Sequence, residues 1–84
     1  MKLYIVCLTT YFETDGIETE LEIFETHEEA SEFLENKHNK IKDGYDEDDI
    51  DWDNFEDDTY SLCAYDEGGY FERYEAQIIE KEVK

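Results

Sequence analysis

Between Asp43 and Asp58, ten of sixteen residues are carboxylic acids and none is basic, with Tyr45, Ile50, Trp52 and Phe55 set among them. Such a segment suits three chemistries: cation binding, proton transfer and imitation of a polyanion. Asp49, Asp51 and Asp53 occupy the first three alternating positions of a calcium-binding EF-hand loop. That loop also needs a glycine at its sixth position for the sharp turn and a bidentate glutamate at its twelfth. Asn54 and Tyr60 stand there instead, so no metal ligands and no cofactor are expected.

Proton transfer requires two carboxyl groups held in a concave site whose surroundings push their pKa values apart. Exposed runs of like charge supply neither condition. His27 falls in the first turn of a predicted helix and His38 on its apolar stripe, where structural roles are expected for both. Cys7 and Cys63 lie inside apolar, strand-like runs with no companion nucleophile and no metal-type spacing, so buried free thiols are the expectation. No glycine-rich phosphate loop occurs. The chain reads as a binding protein without catalytic residues.

Imitation of a polyanion fits the charge better. The 84 residues carry 26 Asp and Glu against 7 Lys and Arg, a formal net charge of -19. Solubility alone asks for a magnitude of about 2 to 8 in a small domain, and self-repulsion on this scale destabilises a compact state. Nucleic acid and anionic membrane are therefore unsuitable as direct ligands, and a basic protein surface is the implied partner. Duplex DNA presents about one charge per 1.7 Å of axis. Alternate strand residues recur about every 6.6 Å, which makes Glu18, Glu20 and Glu22 an evenly spaced acidic stripe.

The candidate partner-binding residues are thus Glu18, Glu20 and Glu22, together with Asp46, Glu47, Asp48, Asp49, Asp51, Asp53, Glu56, Asp57 and Asp58. Trp52 and Phe55 join them as anchors within a charged rim. Against that role stands a packing role, in which both rings fold back over the open face of a thin sheet.

The elements that position these residues follow from periodicity. Residues 2–12 place Leu3, Ile5, Cys7 and Tyr11 on one face and Tyr4, Val6, Leu8 and Phe12 on the other, which predicts a central strand apolar on both sides. Asp15-Gly16 signals a tight turn. From Ile17 to Phe24 the alternation predicts a half-buried strand with Ile17, Thr19, Leu21 and Ile23 inward and the three glutamates outward. Thr26 with Glu29 three residues on forms a capping box, with Glu28 and Glu29 at the positive end of the helix dipole. A helix over 26–42 follows, its stripe running through Ala30, Phe33, Leu34, His38 and Ile41, with Gly44 as its stop.

Residues 43–58 fit neither helical nor strand spacing and read as an acidic loop pinned by Trp52 and Phe55. Residues 59–83 form a second hairpin about Asp66-Glu67-Gly68-Gly69, with Tyr60, Leu62 and Ala64 on the same face as Tyr74, Ala76 and Ile78. The expected architecture is one α+β domain over 1–84, ββαββ, a four-stranded antiparallel sheet with one helix on one face. The chain begins directly on a strand, with no charged and apolar leader pattern. The reducing cytoplasm is the expected compartment and a monomer or homodimer the expected state.

Three stretches carry a resemblance: Tyr4-Ile5-Val6, the hairpin from Thr10-Tyr11 to Gly16-Ile17-Glu18, and the helix entry Phe24-Glu25-Thr26-His27-Glu28-Glu29-Ala30. Over its N-terminal half the chain resembles small acidic proteins of phages and mobile elements. Some of those, of the anti-CRISPR and anti-restriction kind, inhibit host nucleases by imitating nucleic acid. The resemblance implies an inhibitor of host defence acting in the host cytoplasm. The competing reading is an accessory or structural protein whose acidity serves solubility and which pairs through a sheet edge.

Overall fold

The computed structural model describes residues 1–14 and 16–83. In chain order its elements are β1 (Lys2–Phe12), β2 (Gly16–Phe24), α1 (His27–Asp43), a 3-10 turn at Glu47–Asp49, β3 (Ile50–Phe55), β4 (Thr59–Tyr65) and β5 (Phe71–Glu82). The strands form one sheet in the order β2-β1-β5-β4-β3, with every neighbouring pair antiparallel. The α+β class and the single helix agree with the sequence. Strand number does not, since the sheet has five strands rather than four.

The additional strand is β3, inside the segment expected to be a loop. Its register against β4 jumps between Ile50 and Trp52. Asp51 is the extra residue of this bulge, and a bulge of that kind moves the following side chains to the other face. The result is that Ile50, opposite Ala64, and Trp52, opposite Cys63, do not share a face although they stand two apart. Strict alternation is the signal by which a strand is recognised, and here it is broken at the third residue.

β1 lies inside the sheet between β2 and β5, although β5 rather than β1 is the middle strand. The helix takes the face of β1 that carries Val6 and Leu8. Those two, with Ala30, Leu34, Tyr60 and Ala76, form the buried core, and Tyr4, Phe24, Phe33, Ile41, Tyr74 and Ile78 pack around it. The helical stripe is as expected: Ala30, Leu34 and His38 are its buried residues. Thr26 caps α1, its hydroxyl oxygen accepting from the Glu29 N–H at 3.2 Å and its O–H donating to the Glu29 carboxylate at 2.9 Å. Gly44 closes the helix in a right-handed conformation, its N–H bonded to the Ile41 carbonyl.

Register reverses the assignment of faces on β2. Val6 stands opposite Glu22 and Leu8 opposite Glu20, whereas Ile5 stands opposite Ile23, Cys7 opposite Leu21 and Tyr11 opposite Ile17. Cross-strand partners share a face, so the three glutamates flank the helix. Ile17, Thr19, Leu21 and Ile23 do not point into the core. Instead Ile17, Leu21 and Ile23 are 65, 60 and 62 % exposed on the helix-free face. The cause is that β1 is apolar on both sides: either face offered a core, and α1 covers only one.

The turns hold where glycine was expected to permit them. β2 opens on Gly16 at φ +95°, while the Asp15 half of that turn lies outside the described residues. Between β4 and β5, Gly69 takes φ +82°, and the Asp66 carboxylate accepts from the N–H groups of Gly68 and Tyr70 at 2.9 and 3.0 Å. Among the described residues no helix is long and apolar enough to cross a membrane.

Candidate functional site

Within the sheet, most carboxylates lie on the side that α1 covers. At paired strand positions the helix side carries Glu18, Glu20 and Glu22 on β2, Asp53 on β3, and Glu72, Glu80 and Glu82 on β5. α1 adds Glu28, Glu32 and Glu35, all exposed. The opposite face has Glu75 as its one paired-strand carboxylate, against Arg73 and Lys81. Along the paired strands, seven of the eight carboxylates thus face the helix, while Glu56 and Glu75 border a polar concavity on the helix-free face with Thr9, Asn54, Ser61 and Gln77.

The two predicted groups of site residues lie on opposite flanks of the helix. Phe33 and Lys37 look toward β2: the Phe33 ring is 5.2 Å from that of Phe24, and Lys37 Nζ is 3.8 Å from Glu20 Oε2. His38 and Lys42 look toward β3. Beyond them Asp46, Glu47, Asp48 and Asp49 are exposed. Asp46 and Asp49 border a concavity shared with Asp43, Asp66, Glu67 and Glu72. Asp43 belongs to the acidic segment but is not among the predicted site residues, and Asp66, Glu67 and Glu72 were missed by sequence reasoning, which treated Asp66 and Glu67 purely as a turn. The only signal for them was a second acidic pair at the opposite end of a hairpin.

Asp53, one of the predicted site residues, is engaged within the fold. His38 Nε2–H donates to Asp53 Oδ1 at 2.6 Å, and Lys42 Nζ lies 3.0 Å from Oδ2. Partial burial pushes the Asp53 carboxyl up, but hydrogen bonds from His38 and Lys42 and their charges outweigh it, holding the group below the ordinary carboxylate range. This carboxylate ties β3 to α1 and does not stand free for a partner. Asp58 is similarly engaged, accepting from His27 Nε2–H at 2.7 Å, although both groups are half exposed.

Asp53→Ala is expected to cost about 2 kcal/mol at neutral pH, the scale of a lost hydrogen bond to a charged group. Because the folded pKa lies below the unfolded one, this stabilisation is complete above about pH 4, where the unfolded carboxyl is ionised, and disappears as pH falls through the folded value. Thermal melts of parent and variant from pH 7 to pH 2 check it. The gap between them should close in acid, and a gap independent of pH would show that the ion pair is not its source.

Trp52 and Phe55 separate to opposite faces. Phe55 lies on the helix side with its ring 4.8 Å from that of His38. Trp52 lies on the helix-free face, where its indole N–H donates to Ser61 Oγ at 3.2 Å. They are 40 and 42 % exposed respectively, Trp52 first, so neither closes a core, and they do not form one paired anchor. A further polar cluster joins the chain after α1 to β5: the Tyr45 hydroxyl donates to the Glu72 carboxylate, and the Tyr74 hydroxyl reaches the same carboxylate at 2.7 Å. Burial, reinforced by its bonds to Glu72 and Tyr74, raises the Tyr45 pKa above its ordinary value. Burial likewise pushes Tyr74 up to about 12. Both phenols stay protonated and serve as donors across the physiological range.

The thiols differ: Cys63 is buried, Cys7 is half-buried, and both are free. Burial raises the Cys63 pKa, with Asp51 adding to the effect and Arg73 opposing it, so this sulfur is a poor nucleophile at neutral pH. Among the described residues no group of three or more His, Cys, Asp and Glu side chains is placed to hold a metal ion. The hydrogen-bonded titratable groups join one element to another. Comparison of the chain with protein-family models, with curated proteins and with solved structures found no match in any of the three.

Proposed function

We propose that this chain is an acidic decoy that occupies a basic, phosphate-binding groove of a nucleic-acid-binding protein, with a host-defence nuclease such as a CRISPR effector as the target class. The observation that supports this reading is the bias of carboxylates within the five-stranded sheet: seven of the eight at paired strand positions lie on the side that carries the exposed glutamates of α1. A groove built for a polyphosphate backbone attracts such a field at long range, and the attraction weakens steeply with salt. A surface made acidic for solubility alone has no reason to concentrate its charge on one side.

The test is capture from a host lysate on immobilised protein, followed by elution with rising salt or with duplex DNA. Nucleic-acid-binding proteins should be retained at low salt and released by both eluents. Retention that survives molar salt and is indifferent to DNA would sink the decoy.

A further inference from the structure

We infer that the helix-free face of the sheet is the interface of a homodimer, packed sheet against sheet on the same face of a second copy. This rests on the apolar patch, the charge and the size of that face, and stands or falls independently of the decoy. Leu3, Ile5, Leu21, Ile23 and Ile79 lie together there on three adjacent strands, joined through the pairs Ile5 with Ile23 and Ile5 with Ile79. Leu21, Ile23 and Ile79 are exposed and Leu3 and Ile5 are only half covered. Contiguous apolar surface of this kind on a small soluble domain marks an interaction site.

Charge selects the occupant. At paired strand positions the face carries Arg73 and Lys81 against Glu75, so it is close to neutral and equally acceptable to its own copy. At the paired strand positions, by contrast, seven carboxylates lie on the helix side. Packed sheets stand about 10 Å apart, and each helix layer adds a similar thickness beyond its own sheet. The two acidic sides of a face-to-face dimer are thereby separated by more than twice the screening length of about 8 Å at physiological salt. Docking through the helix side instead brings the acidic strand and helix positions into the contact.

Edge pairing is disfavoured by the same charges. β2 is an edge strand, but antiparallel pairing of two β2 strands centred on Glu20 sets Glu20 against its own copy and Glu18 against Glu22, and like charges directly opposite are destabilising. The other edge, β3, is short and bulged, a common protection against pairing. Area is sufficient: the molecule measures 48 by 23 by 15 Å. Its broad face is on the order of 1,000 Å², against about 800 Å² per partner in a standard stable interface. Aligned packing of the two sheets produces a ten-stranded sandwich with a two-fold axis and a helix on each outer side.

Sedimentation velocity from micromolar to hundreds of micromolar protein tests this, at physiological and at molar salt. The parent should sediment at twice the 10.1 kDa chain mass, and high salt should tighten the dimer, since screening removes repulsion without touching apolar contacts. Leu21→Glu with Ile23→Glu should be monomeric throughout, with an unchanged far-ultraviolet circular dichroism spectrum. Ile79→Lys, a milder change, should weaken the dimer at least about ten-fold. A parent that stays monomeric at the highest concentration in molar salt overturns the proposal. So does a dimer that survives both variants, or one that Glu18→Gln, Glu20→Gln and Glu22→Gln together tighten more than salt does, which would identify edge pairing.

Discussion

Truncating Leu34 to alanine is expected to remove about 3 kcal/mol of folding stability, within the range measured for fully buried leucines. Leu34 is completely buried at the contact between α1 and the sheet, in one cluster with Val6, Leu8, Tyr60 and Ala76. The helix has only Ala30, Leu34 and His38 buried; Ala30 is too small to fill the space that the lost isopropyl group leaves, and His38 is held in place by its bond to Asp53. For a chain of 84 residues total stability is about 4 to 13 kcal/mol, and a charge of -19 places it toward the lower end. At about 4 to 8 °C per kcal/mol for a domain of this size, the melting midpoint should fall by roughly 12 to 24 °C. Leu21→Ala is the companion measurement. At concentrations where the chain is monomeric, removing this exposed side chain should change the midpoint by no more than about 0.5 kcal/mol allows. Equal losses for the two variants would mean that the helix covers the other face of β1.

That comparison isolates what the sequence leaves open. The alternation of β1 and the stripe of α1 are written in residue spacing, and both elements appear within a residue of where spacing predicts. The hairpin faces are legible too: Tyr60 stands opposite Ala76 and Leu62 opposite Tyr74, since each strand shows its own period. The choice between the two apolar faces of β1 is not a property of β1. It is set when α1 packs, and β2 inherits the outcome through register, so the usual rule of apolar-in and acid-out points the wrong way for Ile17, Leu21 and Ile23. In β3 the obstacle is local: one bulged residue, Asp51, breaks the alternation just where a dense run of carboxylates already argues for a loop. The pairing of Asp53 with His38 had no sequence signal at all, being a contact across fifteen positions between residues of ordinary type.

The role of Asp53 changes how the acidic surface should be tested. Neutralising Asp46, Glu47, Asp48, Asp49 and Asp51 together with Glu18, Glu20 and Glu22, as Asn or Gln, removes eight charges from the two flanks and leaves the bond to His38 and Lys42 intact. Exposed ion pairs contribute about 0.2 to 1 kcal/mol each, so eight amount to at least about 2 kcal/mol, on the order of thirty-fold or more in affinity for a captured partner. No single neutralisation should exceed a few-fold, because attraction to a basic groove is summed over many charges. The salt dependence of binding should flatten in proportion, since each lost carboxylate removes one contact that salt would have screened. The three β2 substitutions alone should produce a smaller loss of the same kind. Folding stability should hold or rise as self-repulsion falls, whereas adding Asp53→Asn to the set should reverse that gain and confound the result. Titration of parent and variants into the captured partner at several salt concentrations, alongside thermal melts, measures both quantities. If the eight-site variant binds as tightly as the parent with the same salt slope, charge is not what the partner recognises. The decoy then gives way to a protein whose acidity only keeps it soluble.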